Sequence, residues 1–188
     1  MDSRRRVNST VMRLAIFGKV FMLGSKLHLL CLLLALSLGG LCLAQEKPIP
    51  ADTLITLERT VCYGPCPIYK VTITSDGTVT FEGRQNVKVK DIVKGHISRE
   101  DVGSLIAAFE AASYFTLNDS YQTQKDGCPE VWTDNPSAIT SIRINGKTKT
   151  ISHYYGCQTG GGTAIYPNGL TYLETQIDHI VGTDKWIK

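Results

Sequence analysis

Beyond residue 44 the sequence has no basic cluster, no internal repeat, no heptad pattern and no low-complexity tract. The missing cluster excludes the electrostatic footprint of a nucleic-acid binder. The net charge of +3 over 188 residues comes from the first 44, where six Lys and Arg face the single Asp2. Without that segment, 14 basic residues face 16 acidic ones. Familiar catalytic signatures are missing too. There is no nucleophile-elbow serine, no His-Glu-x-x-His pair for zinc and no Gly-Lys-Ser/Thr for a phosphate. Gly160-Gly161-Gly162 lies between a strand pattern and a helix pattern, where a phosphate can bind, but the lysine such a loop needs does not follow. No enzymatic motif, cofactor or metal set is recognisable.

An uncharged apolar run is present near the start. Leu27 to Leu38 is preceded by Lys26 and followed by Gly39, Gly40, Cys42 and Ala44, then by polar Gln45-Glu46-Lys47. A charged flank, an apolar stretch and small residues three and one positions before a cut make a signal peptide. Cleavage is expected after Ala44, and translation is expected to start at Met22. The competing reading is an uncleaved anchor, because Leu27 to Ala44 is just long enough to cross a bilayer; no basic cluster follows it, as an anchor would favour. Membrane contact is therefore expected only through the leader, if uncut. Residues 45–52, with Pro48 and Pro50, form a short linker, and 53–188 are expected to fold as one domain.

From Thr53 the apolar positions alternate. Ile55 and Leu57 oppose Thr56 and Glu58; Tyr69, Val71 and Ile73 oppose Lys70, Thr72 and Thr74; Val79 and Phe81 follow an Asp76-Gly77 turn. Val87 to Ile97 predicts a fourth strand. Ser98, with Asp101 three residues on, predicts a helix start whose stripe is Val102, Leu105, Ile106 and Phe109. Ser137 to Ile144 and Thr148 to Tyr155 form a hairpin around Asn145-Gly146, and Pro167 opens a helix buried through Leu170, Leu173, Ile177 and Val181, capped by Gly182. The pattern predicts an α+β fold: an antiparallel sheet of about six strands, a four-strand meander then a hairpin, with two helices packed on one face. The other sheet face is expected to be wet.

Two connections, Ser113 to Pro136 and Gly156 to Tyr166, are longer than a compact domain normally holds. Each carries one cysteine, Cys128 and Cys157; the other two of the exported chain, Cys62 and Cys66, sit in the turn Cys62-Tyr63-Gly64-Pro65-Cys66. Outside the cytoplasm such cysteines become bridges, and the expected pairing is Cys62 with Cys66 and Cys128 with Cys157. Two alternatives compete. The Cys62-Cys66 turn would support thiol-disulfide chemistry, against which stand its spacing, which is not Cys-x-x-Cys, and its β context. Zinc held by the four sulfurs, or with His153, is disfavoured by the distance between Cys128 and Cys157 in sequence.

Trp132, Asp134, His153 and Tyr155 are the candidate ligand-binding residues, clustered by the proposed loop bridge. A histidine near an aspartate in a loop pocket can act as a general base. The simpler reading makes Trp132 and the tyrosines a satellite core under the loops, and His153 a hydrogen-bonded strand residue.

Arg59-Thr60-x-Cys62-x-Gly64-x-Cys66-Pro67-x-Tyr69, the Asp76-Gly77 turn, Trp132-Thr133-Asp134 and Ile177-Asp178-x-x-x-Gly182-Thr183-x-x-Trp186 together resemble a bacterial domain-of-unknown-function family, the one numbered 6438. The resemblance implies an exported protein of the bacterial cell envelope, periplasmic or extracellular, and carries no activity or catalytic residue with it. The expected function is a non-catalytic module that binds an envelope protein, a glycan or a small ligand.

Overall fold

The computed structural model describes residues 47–188. The expected signal peptide and the first residues of the linker lie outside them. Among the described residues no helix is long and apolar enough to cross a membrane.

Among the described residues, nine strands and three helices follow one another: β1 (Leu54–Arg59), β2 (Ile68–Thr74), β3 (Thr78–Gln85), β4 (Ile92–His96), α1 (Arg99–Ala111), β5 (Ser120–Tyr121), β6 (Glu130–Val131), β7 (Ser137–Ile144), β8 (Lys147–Tyr154), β9 (Cys157–Gln158), α2 (Asn168–Val181) and the single turn α3 (Asp184–Ile187). Seven strands make one sheet in the order β4-β3-β2-β1-β7-β8-β5, antiparallel except for the two-residue pairing of β5 with β8. The meander and the hairpin therefore meet at β1, which lies between β2 and β7.

Alternation decides the faces. Ile55, Leu57, Val71, Ile73, Phe81, Ile142 and Ile151 are buried, and the stripes of α1 (Val102, Leu105, Phe109) and α2 (Leu170, Leu173, Ile177, Val181) close over them in one core. The opposite face carries Thr56, Thr72 and Thr80 in register across three strands, and Lys70 between Glu58 and Glu82. All are half-exposed, so this is the wet face. Opposite charges and paired threonines across neighbouring strands are what a solvated sheet face favours.

The turns are chemically explicit. Asn145 and Gly146 both have positive φ, 51° and 72°, the backbone a two-residue hairpin requires. Ser98 accepts from the Asp101 amide at 3.0 Å while the Asp101 carboxylate accepts from the Ser98 amide at 3.0 Å, a complete capping box. Gly182 ends α2 in the left-handed region.

Three segments depart from expectation. Val87 to Val89 is not part of β4, which begins at Ile92; the amides of Lys88 and Val89 instead donate to Ile187 and Trp186, so this stretch pairs with the C-terminal turn. The two long connections are not structureless: β6 pairs with β9, and β5 adds to the sheet edge. The sheet of about six strands is present with β5 added at its edge, which at two residues is too short to leave a periodic signal.

Candidate functional site

The two bridges form as expected. Cys62 is joined to Cys66 (Cα–Cα 5.9 Å) and Cys128 to Cys157 (Cα–Cα 5.3 Å). The second bridge ties the two long loops beside the β6–β9 ladder, where Val131 faces Cys157. All four sulfurs are consumed, and among the described residues no group of three His, Cys, Asp or Glu is arranged to hold a metal.

The cysteine turn leaves β1 at its C-terminal end, next to the start of β7. The Thr60 amide donates to the Ser137 carbonyl (2.9 Å), the Ser137 amide to the Thr60 hydroxyl (2.8 Å), and the Tyr63 amide to the Asp134 carbonyl (3.3 Å). Cysteine turn and Trp132–Asp134 loop thus make one surface. On it Tyr63 is 89% exposed, Val61 66% and Trp132 48%. These side chains are presented, not packed. Trp132 is nevertheless held: its indole N–H donates to Glu130 at 2.8 Å, and its ring covers Gly162, where a Cβ would overlap it. The other Glu130 oxygen accepts from the Gly161 amide at 3.0 Å. A carboxylate therefore already occupies an amide of the glycine loop where a phosphate would have to bind. Asp134 is exposed, at a positive φ of 69°, and Asn135 braces the loop through the Thr133 carbonyl (2.8 Å).

Behind this surface lies a polar network that sequence reading missed as a unit. Arg59 donates to Asp178 from Nη2 (2.8 Å) and Nε (3.2 Å), and to the Tyr155 hydroxyl from Nη1. The hydroxyls of Tyr69 and Thr183 both donate to Asp178, at 2.6 Å and 3.1 Å, while Tyr155 donates to Glu174 at 2.8 Å. His153 stands 2.9 Å from Glu174 through Nδ1 and 3.0 Å from the Tyr166 carbonyl through Nε2. Both imidazole nitrogens therefore face oxygen acceptors, and one proton must lie between Nδ1 and the Glu174 carboxyl. His153 and Glu174 are both 0% exposed.

Electrostatics keep Arg59 charged and the two phenols protonated. Burial opposes the Arg59 charge, but Asp178 and the surrounding oxygens outweigh it and the guanidinium pKa is raised. Burial, then the Asp178 charge, pushes the Tyr69 phenol up; burial, then Glu174, does the same to Tyr155. Protonated phenols and a permanent cation supply hydrogen bonds and neither a nucleophile nor a base. Among the described residues the buried side-chain polar atoms without a partner are the hydroxyls of Thr53 and Thr171, both outside the network.

Of the four candidate ligand-binding residues, Trp132 and Asp134 stand on the loop surface, Tyr155 is half-buried in the network and His153 is enclosed. The last two support the loops; the first two face outward. The signal for the network was available in part, since Arg59, Tyr69, Asp178 and Thr183 all belong to the motifs singled out in the sequence. Arg59 and Asp178 stand 119 positions apart, and that distance concealed that they meet.

Among curated proteins none matches the chain. Residues 53–181 match the model of the family described as Domain of unknown function (DUF6438), and the chain belongs to that family.

Proposed function

We propose that this chain is an exported, disulfide-stapled binding domain of the cell envelope, and that it meets its partner through the loop surface of Tyr63, Trp132 and Asp134. The observation that carries the reading is the display of two large aromatic side chains on loops that are otherwise immobilised. One loop is fixed by a five-residue disulfide turn, the other by a bridge, a two-strand ladder and the Glu130 contacts. Exposing aromatics in water has no stabilising value for the fold, whereas rigid Tyr and Trp anchors are what recognition surfaces use. The buried network supports this role by fixing the sheet end from which both loops spring. Export follows from the leader read in the sequence and agrees with two disulfides in one small domain.

The test is capture of crosslinked envelope partners by the native exported protein, compared with a Tyr63→Ser/Trp132→Ser variant. Loss of the crosslinked species at an unchanged melting temperature supports the reading; identical capture by both proteins overturns it. Thiol titration across a glutathione series addresses the competing thiol-disulfide chemistry. A Cys62–Cys66 bond that stays closed supports the binding role. One that cycles while Cys128–Cys157 stays closed shifts the assignment to the turn sulfurs.

A further inference from the structure

A cleft lies where α1 runs out against the tip of the β7–β8 hairpin. It encloses about 410 Å³, within the range of about 300–1,000 Å³ typical of small-molecule sites. Phe109, Tyr114 and Ile142, all buried, form its base; Ile106 and Ile144, half-buried, and Phe115, 43% exposed, form its walls.

Its walls are preformed. The Tyr114 hydroxyl donates to the Thr140 carbonyl at 2.7 Å, pinning the turn after α1 into the core. The Phe109 and Tyr114 rings meet edge to face with centroids 4.7 Å apart. On the far side the Asp52 carboxylate accepts from the amides of Asn145 (3.0 Å) and Gly146 (2.7 Å), fixing the hairpin tip.

The rim is electrostatically uneven. Glu110 is engaged by Lys47 at 3.2 Å, whereas Lys147, opposite Ile144 in the hairpin register, forms no ion pair among the described residues. An apolar slot whose rim holds one carboxylate already paired with a lysine and one ammonium with no ion pair among the described residues is complementary to an apolar body ending in a negative group. We infer that this cleft binds a small amphiphilic monocarboxylate, its apolar part against Ile106, Phe115, Ile142 and Ile144 and its carboxylate at Lys147.

Decanoate and decyltrimethylammonium, each below its micellar concentration, are the probes, titrated calorimetrically and followed by isoleucine methyl NMR shifts. Saturable one-site binding of decanoate is expected, with shifts at Ile106, Ile142 and Ile144. The ammonium analogue should bind less well by about threefold to fivefold, the size of one exposed charge contact, and Lys147→Glu should reverse that preference. Ile106→Trp or Ile144→Trp, each filling the slot from a half-buried wall, should lower decanoate affinity by at least about tenfold, the equivalent of about 1.4 kcal/mol. The inference is overturned if decanoate gives no saturable binding, if neither filling variant weakens it, or if both probes bind equally well.

Discussion

At the scale of single residues, Arg59 has the most consequences. Among the described residues its guanidinium is the only positive side chain bonded to Asp178, and it also lies against Glu174 and the Tyr155 ring, 5.2 Å from the centroid. Removing one partner of a buried pair leaves the other charge desolvated and uncompensated, which costs about 3 to 5 kcal/mol. Arg59→Met should therefore destabilise the domain by about 3 kcal/mol, read as a lower urea midpoint at an unchanged slope. Asp178→Asn should cost less, because an amide can still accept from Tyr69 and Thr183. A smaller loss for Arg59→Met than for Asp178→Asn would show that Asp178 rather than Arg59 governs the network.

At the scale of elements, short turns are fastened by carboxylates. Asp76 accepts from the Thr74 hydroxyl and, at 3.0 Å in both cases, from the amide and the hydroxyl of Thr78; these bonds, Thr74 first, lower its pKa to about 2. The Gly146 amide is the main cause of the lowered Asp52 pKa. Asp126 is partly desolvated, which opposes its charge, yet Ser120 and the Thr123 and Gln122 amides bring its pKa down. A carboxyl whose pKa is lower folded than unfolded stabilises the fold fully above its ordinary value of 3.8, and that contribution is lost as pH falls toward the folded value. The melting temperature should be flat just above pH 5 and drop between about pH 4 and 2. The triple Asp52→Asn/Asp76→Asn/Asp126→Asn variant should melt lower at neutral pH and show a shallower acid slope. An acid slope identical to that of the parent would assign acid sensitivity elsewhere.

At the scale of the whole molecule, the two bridges do unequal work. Cys128–Cys157 spans 29 positions and Cys62–Cys66 spans 4. Loop-closure entropy makes the long bridge worth about 3 to 4 kcal/mol and the short one about 2 at most. Cys128→Ser/Cys157→Ser should therefore lower stability more than Cys62→Ser/Cys66→Ser, measured by urea unfolding under non-reducing conditions. Equal losses would show that the cysteine turn carries tertiary stability beyond its small ring. The long bridge also sits in the core, with Cys128 and Cys157 both buried, so its loss should loosen the loop that presents Trp132. The short one restrains a turn at the surface.

Local periodicity and turn chemistry were enough to determine the strands of the meander, the hairpin, both long helices and their caps. Each of those signals acts between residues a few positions apart: alternation for Ile55 and Leu57, a reciprocal cap for Ser98 and Asp101, positive φ for Asn145 and Gly146. The cysteine pairing formed as expected, although four cysteines allow three pairings and spacing alone does not choose among them. What tertiary structure alone decided was everything made by distant partners. It placed β1 between meander and hairpin, turned Val87–Val89 from strand into a seat for the C-terminal turn, and enclosed His153 with Glu174. It also assembled Arg59, Tyr69, Tyr155 and Asp178 from three strands' ends and a helix. Hydrophobic burial dictates that these segments come together, but which polar side chains then face one another depends on register and crossing, and neither is written in the spacing of the residues themselves.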